Sequence, residues 1–208
     1  MVINEPTLRE ENYQEFLRLQ YNPDYFDVLL DEQSGGVSAV HIKHKFDKQI
    51  GAYGFRRGDY EIAAMTALRA QGFRVTLESE RSAEGIKICD GFLNDIPMDI
   101  KAIEGHGKWS VATKLFETQK QKASIVVLFF PNPSLFSSAR IIDGIQKYCS
   151  SVTLDDELSV VAVLSVVMSE IRLFLIKETT PSAKWFSFLK VLGDRAGVPS
   201  TIPPSMQR

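Results

Sequence analysis

Ile88-Cys89-Asp90-Gly91-Phe92-Leu93-Asn94-Asp95-Ile96-Pro97-Met98-Asp99-Ile100-Lys101-Ala102 is the stretch on which the reading of this chain turns. Two apolar-rich arms, 86–93 and 96–103, flank Asn94-Asp95, residue types that tolerate the positive φ a two-residue hairpin turn requires. Such a turn fixes the register. Leu93 faces Ile96, and counting outward sets Asp90 opposite Asp99. Opposed residues have Cβ atoms about 5 Å apart on one face of a sheet, and Lys101, two residues beyond Asp99, projects from that same face. Two carboxylates so close repel each other and raise at least one pKa unless a cation sits between them. A divalent metal is the simplest occupant. Asp90 also alternates with the apolar Ile86, Ile88 and Phe92, which argues against a merely solvated face. Lys101 as a plain surface partner of Asp99 would contribute under about 1 kcal/mol. Pro97 cannot donate to a ladder and predicts an edge strand or a bulge beside the turn.

The rest of the chain sets the bounds. Its 208 residues, 44% apolar and 24% charged, suit a globular protein of one or two domains. A formal charge of −2 excludes a globally basic nucleic-acid binder while leaving room for a local basic surface. Cys89 and Cys149 supply neither a disulfide framework nor a zinc-type pair, and Cys89 is expected to be buried and apolar on the face opposite Asp90. The opening residues lack the basic and apolar regions of a secretory signal, so the expected compartment is the cytoplasm. The most apolar stretch, 158–176, carries Glu170 and Arg172 and reads as buried strand rather than membrane span.

Along the chain, 8–19 predicts a short helix with Leu8, Phe16 and Leu19 on its apolar side, broken by Asn22-Pro23. Residues 31–36 predict a loop and 51–58 a glycine-rich extended segment. Asp59 is placed to N-cap a helix to Gln71, with Gly72 as its stop and Ile62, Met65, Leu68 and alanines as its stripe. A strand over 74–80, a polar turn over 81–85 and the hairpin follow. Residues 105–107 predict a loop, 110–122 a helix, 125–130 a strand buried on both faces, and Ser134 the cap of a helix to about Tyr148. Two strands within 158–176 and a helix around 183–192 complete the reading. The outcome is an α/β chain in three parts: 1–54, a helical or irregular extension; 55–150, a core ordered helix, three strands, helix, strand; and 151–208, a C-terminal extension packed on that core.

Glu61 shares a helix face with Ala64, Met65 and Leu68 by i, i+3, i+4, i+7 spacing, which puts a carboxylate at the end of the stripe that packs on the sheet. A charge there is costly unless it is paired or meets a cation. A glutamate that favours the helix dipole and faces solvent is the plain alternative. Three carboxylates and a lysine of this kind suit phosphodiester hydrolysis. Carboxylates hold a hard ion such as Mg²⁺ with sites left for water and a phosphate oxygen, and a lysine nearby orients the attacking water or stabilises developing charge.

On these residues the chain resembles the PD-(D/E)xK nuclease superfamily: Glu61 on a helix, Asp90, then Asp99-Ile-Lys101. Over about 55–150, Tyr60-Glu61, Leu68, Gly72-Phe-Arg-Val, Glu78, Asp90-Gly-Phe-Leu, Met98-Asp-Ile-Lys, Gln121-Lys-Ala and Val126-Val-Leu look like the C-terminal toxin domain of CdiA-type contact-dependent inhibition proteins. Related cassettes occur in mobile-element and phage-head proteins. The resemblance implies a restriction-endonuclease-like core with a central mixed sheet flanked by helices. It also implies catalytic roles for Asp90, Asp99, Lys101 and Glu61, with Asp90, Asp99 and Glu61 holding Mg²⁺ or Mn²⁺ and Gln121 facing the site. It departs from the pattern at Cys89, where a proline usually precedes the first aspartate.

Among other candidates, His106 sits between two glycines just past the Lys101 strand and is placed to reach the mouth of the site or a phosphate. Lys108 and Lys114, with Lys120 and Lys122, form a basic stretch that would attract a nucleic-acid backbone beside a metal site. His41 and His44 have the i, i+3 spacing of metal ligands but lack a third partner, and read as surface or substrate-contact residues. Trp109 and Trp185 read as packing residues. The expected function is a metal-dependent endonuclease acting on DNA or RNA, tRNA included, toxin-like or associated with a mobile element, with an immunity protein as the implied partner. The rival is a non-catalytic binding or assembly module that keeps the fold.

Overall fold

A computed structural model describes residues 7–79, 88–151, 160, 162–176 and 200–201. Its elements are α1 (Leu8–Gln20), β1 (Tyr25–Leu30), β2 (Val37–His41), α2 (Arg57–Ala70), β3 (Arg74–Leu77), β4 (Gly91–Leu93), β5 (Ile96–Ala102), α3 (Ser110–Lys120), β6 (Ile125–Phe130), α4 (Ser138–Ser151), β7 (Ala162–Val167), β8 (Glu170–Leu175) and the two-residue β9 (Ser200–Thr201). All described strands belong to one mixed sheet in chain order, β1 to β9. The β2–β3, β5–β6, β6–β7 and β8–β9 pairs are parallel, and the other neighbours antiparallel. Three of the parallel pairs are joined through a helix: α2, α3 and α4.

Helices cover both faces of this sheet. Ala64, Met65 and Leu68 of α2 pack with Val75, Leu77, Met98, Ile100, Val127 and Leu164. On the other face Val111 and Leu115 of α3 and Ile141, Ile145 and Tyr148 of α4 pack with Val126, Leu128 and Val163. β6 alternates between the two layers and is buried at every position, as its unbroken apolar run predicts. Each such fully buried side chain contributes about 1.5–3 kcal/mol relative to an exposed one.

Several sequence expectations are corrected. Asp59 is not the N-cap of α2. The helix starts at Arg57 after Arg56, and Asp59 accepts from the Arg56 amide at 3.0 Å from inside the first turn. Ile62 leaves the stripe and is 41% exposed, because Tyr60, Ala64, Met65, Ala67 and Leu68 already fill the buried arc. Pro97 lies in an interior strand, not at an edge. Its carbonyl accepts from Ser124 on the β6 side, so its ring nitrogen also faces that side, where β6 begins only at Ile125 opposite Met98. No ladder bond is lost. α4 begins at Ser138 rather than Ser134, since Asn132 accepts from the Ser134 amide and a short 3-10 turn over Pro133–Leu135 intervenes.

β1 and β2 within 1–54 hydrogen-bond to the sheet through β3. β7 and β8, the two strands expected within 158–176, join around Met168-Ser169, Met168 taking a φ of 54° without any glycine or proline. The expected turn over 81–85 and helix over 183–192 lie outside the described residues, as does Trp185. Among the described residues no helix is long and apolar enough to cross a membrane.

Candidate active site

The β4–β5 hairpin places the central residues. Asn94 and Asp95 take φ values of 46° and 64°, and the ladder runs Leu93↔Ile96, Phe92↔Pro97, Gly91↔Met98. The Asn94 side chain also accepts from the Arg74 amide at 2.8 Å, and Arg74 pairs with Asp95, so β3 braces the turn. Gly91 is needed for space: a Cβ there would fall 1.9 Å from the Thr76 carbonyl oxygen of β3. β4 stops at Gly91 whereas β5 runs on to Ala102, so Asp90 stands one step past the ladder, level with Asp99. Its Oδ2 takes the place of a strand partner and accepts from the Ile100 amide at 2.8 Å.

Asp99 has no exposed surface. Lys101 Nζ lies 2.8 Å from its Oδ2 and 3.7 Å from Asp90 Oδ2, and Thr118 Oγ1 of α3 donates to Asp99 at 3.0 Å. The Gln121 amide, with its nitrogen turned to the carboxylate as the surrounding donors and acceptors require, donates to both Asp99 oxygens at 2.5 and 2.8 Å. Burial, and next the Asp90 carboxylate, push Asp99 up to about 6 against the pull of Lys101. Burial would lower Lys101, but the two aspartates outweigh it and raise its pKa, so this lysine is held as an ammonium. It can orient and neutralise. It cannot serve as a free-amine base.

Glu61 comes from the other helical layer and meets Asp90 and Lys101 in one cleft of about 400 Å³, lined by Glu61, Asp90, Ile100, Lys101 and Lys114, with Lys45, Asp47, Arg57, Tyr60, Ala102, Glu104 and Glu117 around them; Asp99 and Gln121 stand behind Lys101 and are not among the lining residues. A larger depression, about 690 Å³, lies between α1 and the β1–β2 turn and contains none of the predicted residues. Glu61 Oε2 is 3.0 Å from Nε2 of His44, whose Nδ1 contacts the Glu78 main-chain carbonyl at 2.8 Å. The Glu78 carbonyl can only accept, so Nδ1 carries a proton and Nε2 is the ring nitrogen that faces the Glu61 carboxylate. His44 is thus a buried partner of the site, not the surface or substrate-contact residue the sequence predicted.

The remaining predicted residues divide. Lys114 lines the cleft but is also paired with Glu117 at 2.8 Å. His106 and Lys108 are not among the lining residues; Lys108 Nζ instead lies 4.7 Å from the centroid of Trp109, which is 44% exposed rather than packed away. The 105–107 loop beside them is tethered by Arg140, which donates to the carbonyls of Gly105 and Gly107 and to Ser110 Oγ. His41 accepts from the Lys43 amide at 3.0 Å and stands edge-on to Tyr25, away from His44's contact with Glu61. Cys89 is half-buried, with its thiol pushed up to about 11 by burial and then by Asp99 and Asp90.

Thr118 escaped the sequence reading, as did the bond that His44 makes to Glu61. Thr118 had a signal, standing three residues before Gln121 on one helix face. The His44–Glu61 bond had none, since it exists only once β2 and α2 pack.

The donor set suits a hard divalent cation in part. Asp90 and Glu61 offer carboxylate oxygens to one cleft, and the Ile100 carbonyl projects to the same side of β5 as the amide that Asp90 binds. Among the described residues no three His, Cys, Asp or Glu side chains close on a common point, because Lys101 stands between the aspartates. No family model, no curated protein and no solved structure matches the chain.

Proposed function

We propose that this protein is a metal-dependent nuclease of the PD-(D/E)xK kind, built on a restriction-endonuclease-like core formed by α2, β3, β4, β5, α3 and β6. The observation that carries the reading is Lys101, held charged between Asp90 and Asp99 at the edge of a cleft that Glu61 also lines. Asp90 and Glu61, with Asp99 behind them, are the residues that would hold Mg²⁺ or Mn²⁺. What such an ion supplies when bound is a lowered pKa for water and charge stabilisation on a phosphate oxygen. The protein's own groups do the rest. The Ile100 amide fixes Asp90 on β5. Asp99, itself gripped by Thr118 and Gln121, keeps the Lys101 ammonium in place to orient the attacking water and meet developing charge on the phosphate. Lys45 and Lys114 supply positive charge at the cleft for a phosphodiester backbone.

Within this reading the narrower role is toxin-like, in the cytoplasm of its own or a target cell, with an immunity protein that covers the cleft. A second reading, a non-catalytic binding module that keeps the fold, is favoured by one fact: every contact of Asp99 is already satisfied internally by Lys101, Thr118 and Gln121. Incubation with DNA, tRNA and total RNA in Mg²⁺ or in EDTA separates the two. The nuclease reading expects cleavage in Mg²⁺ alone, reduced roughly 10²-fold or more by Lys101→Ala or Asp99→Ala. Absence of any metal-dependent cleavage, or equal rates for wild type and both variants, leaves the binding module standing.

A further inference from the structure

The imidazole of His44 is pinned on three sides. Its side chain has no exposed surface, Nδ1 donates to the Glu78 main-chain carbonyl at 2.8 Å, Nε2 holds Glu61 Oε2 at 3.0 Å, and Phe46 packs edge-on with ring centroids 4.7 Å apart. A ring fixed in this way cannot swing, and the atom it holds belongs to a carboxylate that lines the cleft. Glutamate has three rotatable side-chain bonds and would otherwise sample many positions in the first turns of α2. Binding Oε2 fixes the carboxylate where it lines the same cleft as Asp90. A fixed ligand costs less ordering when a cation arrives, which is how partners behind a ligand raise affinity without touching the ion.

We propose that His44 is a positioning residue for the cation site, acting through Glu61, and that the segment after β2 is therefore part of that site. The inference rests on the reading of the cleft as a divalent-cation site. A tether that only secured the 42–57 segment would change stability without changing cation affinity selectively.

The test is Mn²⁺ binding to the full chain, measured by calorimetry and by the Mn²⁺-induced rise in Tm, for wild type, His44→Gln and His44→Asn. Gln places an amide nitrogen near the position of imidazole Nε2 and keeps the bond to Glu61. Asn places one near Nδ1 and keeps only the bond to the Glu78 carbonyl. The expected result is a His44→Gln Kd within about threefold of wild type and a His44→Asn Kd weaker by roughly tenfold or more. Equal Mn²⁺ affinity in His44→Asn and wild type overturns the proposal and leaves the cation site intact. Parallel loss in both variants, in step with a fall in Tm without Mn²⁺, also overturns it, because a structural tether behaves that way. No Mn²⁺ binding by wild type removes the cation site itself. One arm needs no substitution: in wild type the ¹⁵N resonance of His44 Nε2 moves during a Mg²⁺ titration with the same midpoint as binding. A stationary resonance contradicts the proposal even if His44→Asn fails to fold.

Discussion

Asp99 binds a proton more tightly in the folded protein than in the unfolded chain, since burial and the Asp90 carboxylate raise it from 3.8 to about 6. A carboxyl raised in this direction contributes stability that is fully present below about pH 4 and is lost as pH climbs through about 6. Above that window the ionised group opposes folding by about 3 kcal/mol. Asp99→Asn removes the titration. Urea unfolding at a series of pH values is expected to show wild type losing stability relative to Asp99→Asn across pH 4–6, with the variant at least as stable at pH 7.5 and without nuclease activity. Parallel pH curves for the two proteins would contradict this account. Tension of this kind, in which a site is kept at the expense of stability, is common where chemistry is done. The opposition of Asp90 and Asp99 was legible in the sequence because a two-residue turn transmits register by counting. The clasp of His44 on Glu61 was not, because it depends on the packing of two elements whose relative placement no local rule sets.

At the scale of elements, the hairpin owes its position to β3 as much as to its own turn. The Cβ of any other residue at Gly91 would meet the Thr76 carbonyl oxygen, a main-chain atom that cannot rotate away. Gly91→Ala is expected to cost about 2 kcal/mol or more, as overpacking against a backbone does, and to weaken Mn²⁺ binding by moving Asp90, the next residue. Urea unfolding and the same Mn²⁺ titration check both; an unchanged unfolding midpoint would show that β3 and β4 are not so tightly opposed. Elements with an uninterrupted apolar signal, the stripe of α1 and the unbroken run of β6, emerge close to the expected bounds. Those with competing local chemistry do not. Asn132 accepts from the Ser134 amide and delays α4, and a positive φ at Met168 makes a hairpin where no turn residue announces one. Pro97 misled for a similar reason. A ladder position is set by which neighbour lies beside it, and β6 had simply not begun.

Among the described residues two large cores lie on either side of one sheet, with a smaller cluster of Leu19, Val37 and Ala39 beneath α1. Ile125 belongs to the α2 layer and Ile145 to the α3–α4 layer, both fully buried. Ile125→Val and Ile145→Val are each expected to cost about 0.5–1.5 kcal/mol, and the double variant to equal their sum within about 0.5 kcal/mol, since the two side chains share no partners. A larger coupling energy in a denaturant double-mutant cycle would show that the layers are not independent. Glu61, backed by His44, reaches the cleft from one layer, and Lys101, held by Asp99 with Thr118 and Gln121 behind it, from the other. They meet only beyond the end of β4. That strand has three residues against the seven of β5, and the shortfall is what leaves the Ile100 amide to a side chain. The chemistry proposed for this chain therefore depends on an unfinished ladder. A change that extended β4 by two residues past Gly91 would give Ile100 a main-chain partner, evict the Asp90 carboxylate and seal the opening, extinguishing the site with every other charged side chain still in place.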